Sequence, residues 1–330
     1  MKHLHLLIPD LFLPPDIAAD ACAGLRLPAL EKLLARGNMS AAPGMALEGR
    51  LCVAFGARAV APVRAAADGL YAGAGYWMCA DPVSLQLQRA QMMLLPDVML
   101  SQEQADVLCA ALNEHFGEGG PHFMAPHPQR WYVKLEAEQQ LSATPLSRVA
   151  WRDAKFYQPH GEDALHWQRI TTEMQMVLHA HPLNQARVAR GELPVGSLWL
   201  WGGGKAEPLQ RPYDAVGGDS ALGAAFARVA DIPRVASLQE MLGHEGSLGL
   251  WLCDGLSRAL QCGDLYAWRE AVQQVERDCA QPVLQALQAG RLRRLTLEVL
   301  GEEGVRRFEL GRGDVWKLWR RARSLARYAV

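Results

Sequence analysis

No run of about 18 uninterrupted apolar residues occurs anywhere in the 330-residue chain, so no membrane-spanning helix is expected. Cysteine is sparse and scattered. The seven, at 22, 52, 79, 109, 253, 262 and 279, are odd in number and include no Cys-x-x-Cys spacing, so neither a disulfide framework nor a zinc site is indicated. Net charge is nearly nil, at −1, so the whole molecule has no general attraction to nucleic acid. The opening MKHLHLLIPDLFLPP is not read as a signal peptide, because Pro9 and Asp10 break its apolar stretch and no small-residue cleavage site follows. Internal repeats and low-complexity segments are missing as well. A cytoplasmic protein with reduced thiols is the expectation.

What is present is ordinary globular material. Half the residues are hydrophobic and about a fifth are charged, and the length allows two domains or one core carrying an insertion. HLHLLI (3–8) reads as a short buried strand ended by Pro9–Asp10. A strand ending in Asp, then a helix, is how an α/β domain opens when its site lies at the carboxyl edge of the sheet. Residues 27–38 follow as an amphipathic helix with Leu30, Leu33 and Leu34 on one face and Gly37 as C-cap. From Tyr76 the texture turns to antiparallel strands. Next comes a helix over 101–117, with Ser101 and Gln104 forming a capping box, and then a strand at 130–136. This short alternation predicts a small α+β insert. Residues 161–181 predict a long helix that Pro182 ends. Strands are expected at 197–201 and 249–253, helices at 221–232 and 264–289, and two antiparallel strands in LRRLTLEVL and VRRFEL.

Several stretches carry candidate chemistry. Gly202–Gly203–Gly204–Lys205 offers either a phosphate-cradling turn, with Lys205 supplying charge, or a plain strand-to-loop turn. It is neither a P-loop nor GxGxxG. Gly218–Asp219–Ser220 suggests an esterase nucleophile less readily than a helix N-cap. His3 with His5, and His179 with His181, are weak metal pairs. The latter are explained as well by the helix dipole. The last forty residues hold eleven Lys/Arg against five Asp/Glu, and their end is expected as a basic amphipathic helix, 313–328. Trp316, Trp319 and the arginines beside them either meet an anionic surface, a membrane face or a protein partner, or form a solvated face with the tryptophans inward.

HPLNQARVARGELPVGSLWLWGGGK (181–205) resembles a segment of the archaeal-type, cofactor-independent phosphoglycerate mutases. The likeness extends to LPALEKLLARG, ADPVSLQLQRAQMMLL, ALNEHF, FMAPHPQRWYVKL and AWREAVQQVERDCAQPVLQALQAG, most of the chain. The nearest group it suggests is the RpfE-type bacterial regulatory proteins. The resemblance implies an α/β, alkaline-phosphatase-like three-layer core (1–75 and 155–330) with a smaller inserted α+β domain (76–154).

Enzymes of that superfamily use two divalent cations and a Ser or Thr nucleophile, because phosphoryl transfer needs charge neutralisation and an activated oxygen in line. Asp10 stands where the first metal-binding Asp belongs. The nucleophile stretch reads Pro43–Gly44–Met45–Ala46–Leu47–Glu48, without a hydroxyl. Glu298 and Val299 replace an Asp-His pair, Trp201 replaces an arginine, and no histidine follows His244. The expectation is a catalytically degenerate relative without metal or cofactor, acting as a regulatory or small-anion-binding protein. A phosphorylated or carboxylate ligand would sit in the family's cleft on Asp10, Arg130, His181, Asn184, Arg187, Trp201, Gly203 and Lys205. A protein partner would meet 313–328, and no nucleic acid is involved. The alternative is an active mutase or phosphotransferase with a rearranged site drawn from Asp10, Glu48, Asp81 and His181.

Overall fold

The computed structural model of the chain describes residues 1–71 and 73–329. Its strands are β1 (His3–Pro9), β2 (Asn38–Pro43), β3 (Tyr76–Gln88), β4 (Gln91–Leu95), β5 (His122–His127), β6 (Arg130–Leu135), β7 (Ser197–Lys205), β8 (Ala215–Gly218), β9 (Arg234–Val235), β10 (Leu248–Leu252), β11 (Arg294–Leu300) and β12 (Gly304–Gly311). They divide between two units, one made of Met1–Phe55 with Leu209–Val330 and one of Gly56–Pro208.

The first unit holds a seven-stranded sheet in the order β2-β12-β11-β1-β10-β8-β9. The five strands from β11 to β9 are parallel, and β12 and β2 add antiparallel at one edge. Burial explains the near-continuous apolar run of β1, since a central parallel strand is covered on both faces. Alternate residues Leu4, Leu6 and Ile8 enter one cluster with the helices Pro28–Arg36 and Gln281–Gln288. His5 lies on the opposite face, against Tyr213. Phe55 packs on Tyr213 and Phe226, so the helices Leu47–Phe55 and Ala221–Val229 cover that side. Within this unit, helices therefore flank the sheet on both faces.

The helix expected over 264–289 runs from Leu265 to Gln288 but passes through one π turn, Glu276–Ala280. The buried Glu276 there accepts from the backbone N–H groups of Ala29 (3.0 Å) and Leu30 (2.8 Å). A carboxylate at those otherwise unpaired donors complements the helix dipole and stabilises the start of Pro28–Arg36, whose N-cap has no side-chain acceptor of its own.

The tail corrects the expectation for 313–328. It is not an amphipathic helix; only two 3₁₀ turns form, Asp314–Trp316 and Leu325–Tyr328. Tertiary bonds override its periodicity. Arg320 donates to the carbonyls of Arg36 and Gly37 at the C-terminus of Pro28–Arg36, and Arg306 binds the carbonyls of Tyr328 and Ala329. Val315 and Leu325 are buried and Tyr328 stacks on Phe12, whereas Trp316 and Trp319 are exposed rather than packed inward.

In the second unit β4-β3-β6-β5 form an antiparallel sheet, and β7 pairs along the other edge of β3. The helices Gln102–Phe116 and Ala164–Ala180 bury Leu108, Leu112, Trp167 and Met174 in its core. Ser101 and Gln104 make the capping box. This unit is wider than the stretch 76–154 expected for an insert, because β7 joins the sheet through β3 and brings 155–208 with it. The glycines after SLWLW do not form a terminal turn. They continue β7 to Lys205, since the backbone must pass close to Tyr76 and Ala59: a Cβ at Gly203 would lie 2.4 Å from the Tyr76 hydroxyl, and one at Gly204 2.3 Å from the Ala59 Cβ. Pro182 ends the long helix as expected, leaving His181 extended between Ala164–Ala180 and a second helix, Pro182–Ala189.

Candidate functional site

The carboxyl ends of the parallel strands gather acidic side chains. Asp10 follows β1 in the left-handed region, at φ 55°, which Asp tolerates better than most residues. Its N–H donates to the Leu300 carbonyl (2.9 Å), and its own carbonyl accepts from the Trp268 indole (3.1 Å). Asp219 follows β8 and accepts the N–H groups of Asp254 (2.6 Å) and Gly255 (3.1 Å). Asp254 follows β10 and accepts from the Ser220 hydroxyl (3.1 Å), while Ser220 also N-caps the helix Ala221–Val229. The Gly-Asp-Ser stretch is thus a capping element. Burial pushes the Asp254 carboxyl up to about 6. The Ser220 bond opposes that rise, and the charges of Asp219, Glu48 and Asp10 add to it. Glu48 is buried, and its Oε2 has no hydrogen-bond partner among the described residues.

A second group lies nearby on the same sheet. Glu298 of β11 accepts from Arg50 Nε (2.8 Å) and from His5 Nε2 (2.7 Å), and His5 Nδ1 lies 3.0 Å from the Tyr213 hydroxyl. Burial works to raise the Glu298 carboxyl, but the His5 hydrogen bond and the Arg50 charge outweigh it and hold the group at about 2. Burial lowers the His5 pKa. A carboxylate can only accept, so a neutral His5 donates from Nε2 and takes the Tyr213 proton at Nδ1. The other histidines of this unit are engaged too. His3 Nε2 bonds Thr296 Oγ1 (2.9 Å), and the His244 ring accepts the Gly246 N–H (3.0 Å). Among the described residues no group of three or more His, Cys, Asp or Glu is arranged to hold a metal ion.

Seven of the eight ligand candidates fall in the second unit, with Asp10 in the first. Arg130 and Trp201 are joined by one chain of polar contacts. Arg130 pairs with Asp68 (2.8 and 2.9 Å), and the Tyr132 hydroxyl donates to Asp68 (2.6 Å). Arg64 reaches Tyr132 (2.9 Å) and both oxygens of the buried Asp81, and the Trp201 indole donates to Asp81 (2.8 Å). Trp201 also lies under the Arg64 guanidinium, 5.3 Å from ring centre to Cζ.

His181, Asn184 and Arg187 form a separate group. His181 Nδ1 caps Leu183 N, and Asn184 bonds the Leu178 carbonyl and both backbone groups of Val195. Arg187, with only 3% of its side chain exposed, binds the Leu193 and Met99 carbonyls, Gln104 and Glu192. These three tie the loop before β7 to the helix Pro182–Ala189. Lys205 pairs with Glu138 at 2.7 Å, both exposed, and Gly203 packs on Tyr76.

Sequence reasoning passed over Asp254 and Arg50. The first had a readable signal, for GLWLC followed by Asp repeats the strand-then-Asp signature of β1. Arg50 had none, because its partner lies 248 positions away.

No family model matches the chain. Among curated proteins it is similar to the 2,3-bisphosphoglycerate-independent phosphoglycerate mutase of Methanosarcina barkeri, 27% identical over 123 residues, or 36% of this chain and 31% of that one. It is also similar to the probable 2,3-bisphosphoglycerate-independent phosphoglycerate mutase of Geobacter sulfurreducens, 28% identical over 109 residues, or 33% of this chain and 27% of that one. The match thus spans less than a third of either relative's length. The structure of the PH0037 protein from Pyrococcus horikoshii shares the mixed α/β fold at a TM-score of 0.58 and 14% identity, covering 94% of this chain and 87% of that one. The chain is therefore related in sequence to cofactor-independent phosphoglycerate mutases. Among the described residues, no helix is long and apolar enough to cross a membrane.

Proposed function

We propose that this chain is a catalytically degenerate relative of the cofactor-independent phosphoglycerate mutases, with an alkaline-phosphatase-like core, that acts by binding in the manner of the RpfE-type regulatory proteins. One observation carries the reading. At the carboxyl edge where the likeness implies two cations, the described residues bring no group of three or more His, Cys, Asp or Glu together to hold one, and His3, His5 and His244 of the same unit bond Thr296, Glu298 and the Gly246 N–H. Two-cation phosphoryl transfer needs several Asp and His ligands around one spot. The residues present do not fit that demand.

For a phosphorylated or carboxylate ligand, Arg130 and Lys205 are the accessible cations, with 36% and 55% of their side chains exposed. His181, Asn184 and Arg187 support them by fixing the backbone around β7. For a protein partner, the tail presents Trp316, Leu318 and Trp319. The competing reading, an active phosphotransferase with a rearranged site, is favoured by the unpartnered Glu48 oxygen and the raised Asp254 carboxyl.

One experiment separates the two. The purified chain is analysed for metal, then assayed for mutase turnover on 3-phosphoglycerate with added manganese and titrated calorimetrically with the same compound. The expected result is metal well below about one ion per chain and no turnover, with any heat of binding reduced in Arg130→Ala. About two ions per chain, with turnover lost in Asp10→Asn, would overturn the proposal.

A further inference from the structure

A pocket of about 770 Å³ opens in the first unit between the end of β10 and the helical run 265–280. Trp251, Leu252 and Leu256 supply apolar wall, Arg277 and Asp278 polar wall, and two cysteines line it, Cys253 and Cys279. Their sulfurs are 3.4 Å apart although the residues are 26 positions apart in sequence. Cys253 ends β10, and its N–H is anchored on the Leu7 carbonyl. Cys279 sits in the π turn, where the helix carries its local irregularity. The mutase likeness gives this pair no role, and nothing in the proposed binding function uses it.

We infer that Cys253 and Cys279 are a peroxide-reactive dithiol whose co-substrate is a hydroperoxide entering this pocket. The Cys279 thiolate attacks the terminal peroxide oxygen. An S–O bond forms and the O–O bond breaks, and the departing alkoxide takes up the proton that Cys279 released, leaving as an alcohol, or as water from hydrogen peroxide. Cys253 sulfur then attacks the sulfenic sulfur of Cys279. The S–S bond forms, the S–O bond breaks, and hydroxide leaves as water with the Cys253 proton. The dithiol loses two electrons and the peroxide gains them. The sulfurs must close to about 2.05 Å, a movement of little more than an ångström, and a π turn is where the helix can yield.

The division of labour within the pair agrees with its surroundings. The hydrogen bond from the Cys253 thiol stabilises the Cys279 thiolate against burial, with the Trp251 side chain assisting, so Cys279 is lowered while Cys253 is raised. Burial raises Cys22, Cys52 and Cys109 instead, with Cys52 pushed up to about 11.

The test treats the reduced full-length chain with hydrogen peroxide, alkylates the remaining thiols and maps peptides without reduction. Expected is a cross-link between the peptides carrying Cys253 and Cys279, about 2 Da lighter than their sum and reversed by dithiothreitol. It should form at least about tenfold faster than oxidation of the exposed Cys262. In Cys253→Ser, dimedone should trap a sulfenic acid at Cys279. The wild-type map decides alone if that variant does not fold. Oxidation at Cys262 ahead of the pair, or sulfinic acid at Cys279 with Cys253 still free, would overturn the inference.

Discussion

Two carboxyl groups of the same sheet have taken opposite courses. Glu298, on β11, is buried but held at about 2 by His5 and Arg50. Asp254, after β10, lies at about 6, because burial raises it and the charges of Asp219, Glu48 and Asp10 add to that rise against the Ser220 hydrogen bond. The difference teaches where charge compensation has been built into the protein itself. Around Glu298 the Arg50 guanidinium supplies the opposite charge and the neutral His5 imidazole donates a hydrogen bond. Beside Asp254 the Ser220 hydroxyl donates to it and backbone N–H groups donate to Asp219, while the neighbouring acids add to the rise that burial causes.

The largest way to break this comparison is to make the two regions alike. Arg50→Met removes the cation but keeps the length of the side chain, leaving Glu298 buried with His5 alone. A loss of about 3 kcal/mol is expected from urea unfolding near neutral pH, since the remaining charge is left without its counter-ion. His5 should also become easier to protonate, because Arg50 is one of the charges that depress it. A loss under about 1 kcal/mol would show that the Glu298 region is no better compensated than the Asp254 region.

Asp254→Asn has a smaller effect and the opposite sign. The Asp254 carboxyl is raised from 3.8 to about 6 in the folded chain, so the folded state binds the proton more tightly than the unfolded one. That contribution to stability is complete below pH 3.8 and is lost as pH rises through about 6. Glu298 behaves in reverse: its contribution is present above 4.5 and is lost as pH falls towards 2. The Asn variant should therefore be more stable than the parent by about 1 to 2 kcal/mol above neutrality, and the gain should vanish in acid. Unfolding curves at the two pH values check it. A destabilised variant at every pH would mean that the Asp254 charge is compensated after all.

How much of this was legible beforehand depended on how local each cause is. The β1 strand with its terminal Asp, the Ser101–Gln104 capping box and the break at Pro182 rest on residues within a few positions of one another, and each reads directly. Gly-Asp-Ser as a cap has the same local origin. The tail was misread because its basic, tryptophan-rich periodicity suggests a helix, whereas Arg320 and Leu325 are claimed by contacts with the first unit's body. Gly202–Gly203–Gly204 looked like a turn because the side chains that require a bare backbone, Ala59 and Tyr76, lie far away in sequence. The same holds for the candidate site. Asp10 was readable from its strand end, but the Arg50–Glu298 pair and the bond from Glu276 to Ala29 and Leu30 are long-range and leave no local pattern. The run 181–187 was readable as a motif. That its Asn and Arg are committed to carbonyls of this chain was not.

The smallest effect sharpens the comparison from outside. Lys205 and Glu138 sit 2.7 Å apart with more than half of each side chain exposed, so water already solvates both charges. Such a pair gains little from its contact and is weakened further by salt. Lys205→Ala should leave the melting temperature within about 1 °C of the parent. Because stability does not need the lysine, the variant isolates its other assignment. If Lys205 holds a small anion, the calorimetric signal for 3-phosphoglycerate should weaken while unfolding is unchanged. If both measurements match the parent, the cation has no part in binding and Arg130 alone carries the anion proposal in the second unit. A buried pair such as Arg50–Glu298 allows no such separation, since removing either member disturbs the fold before any ligand is added.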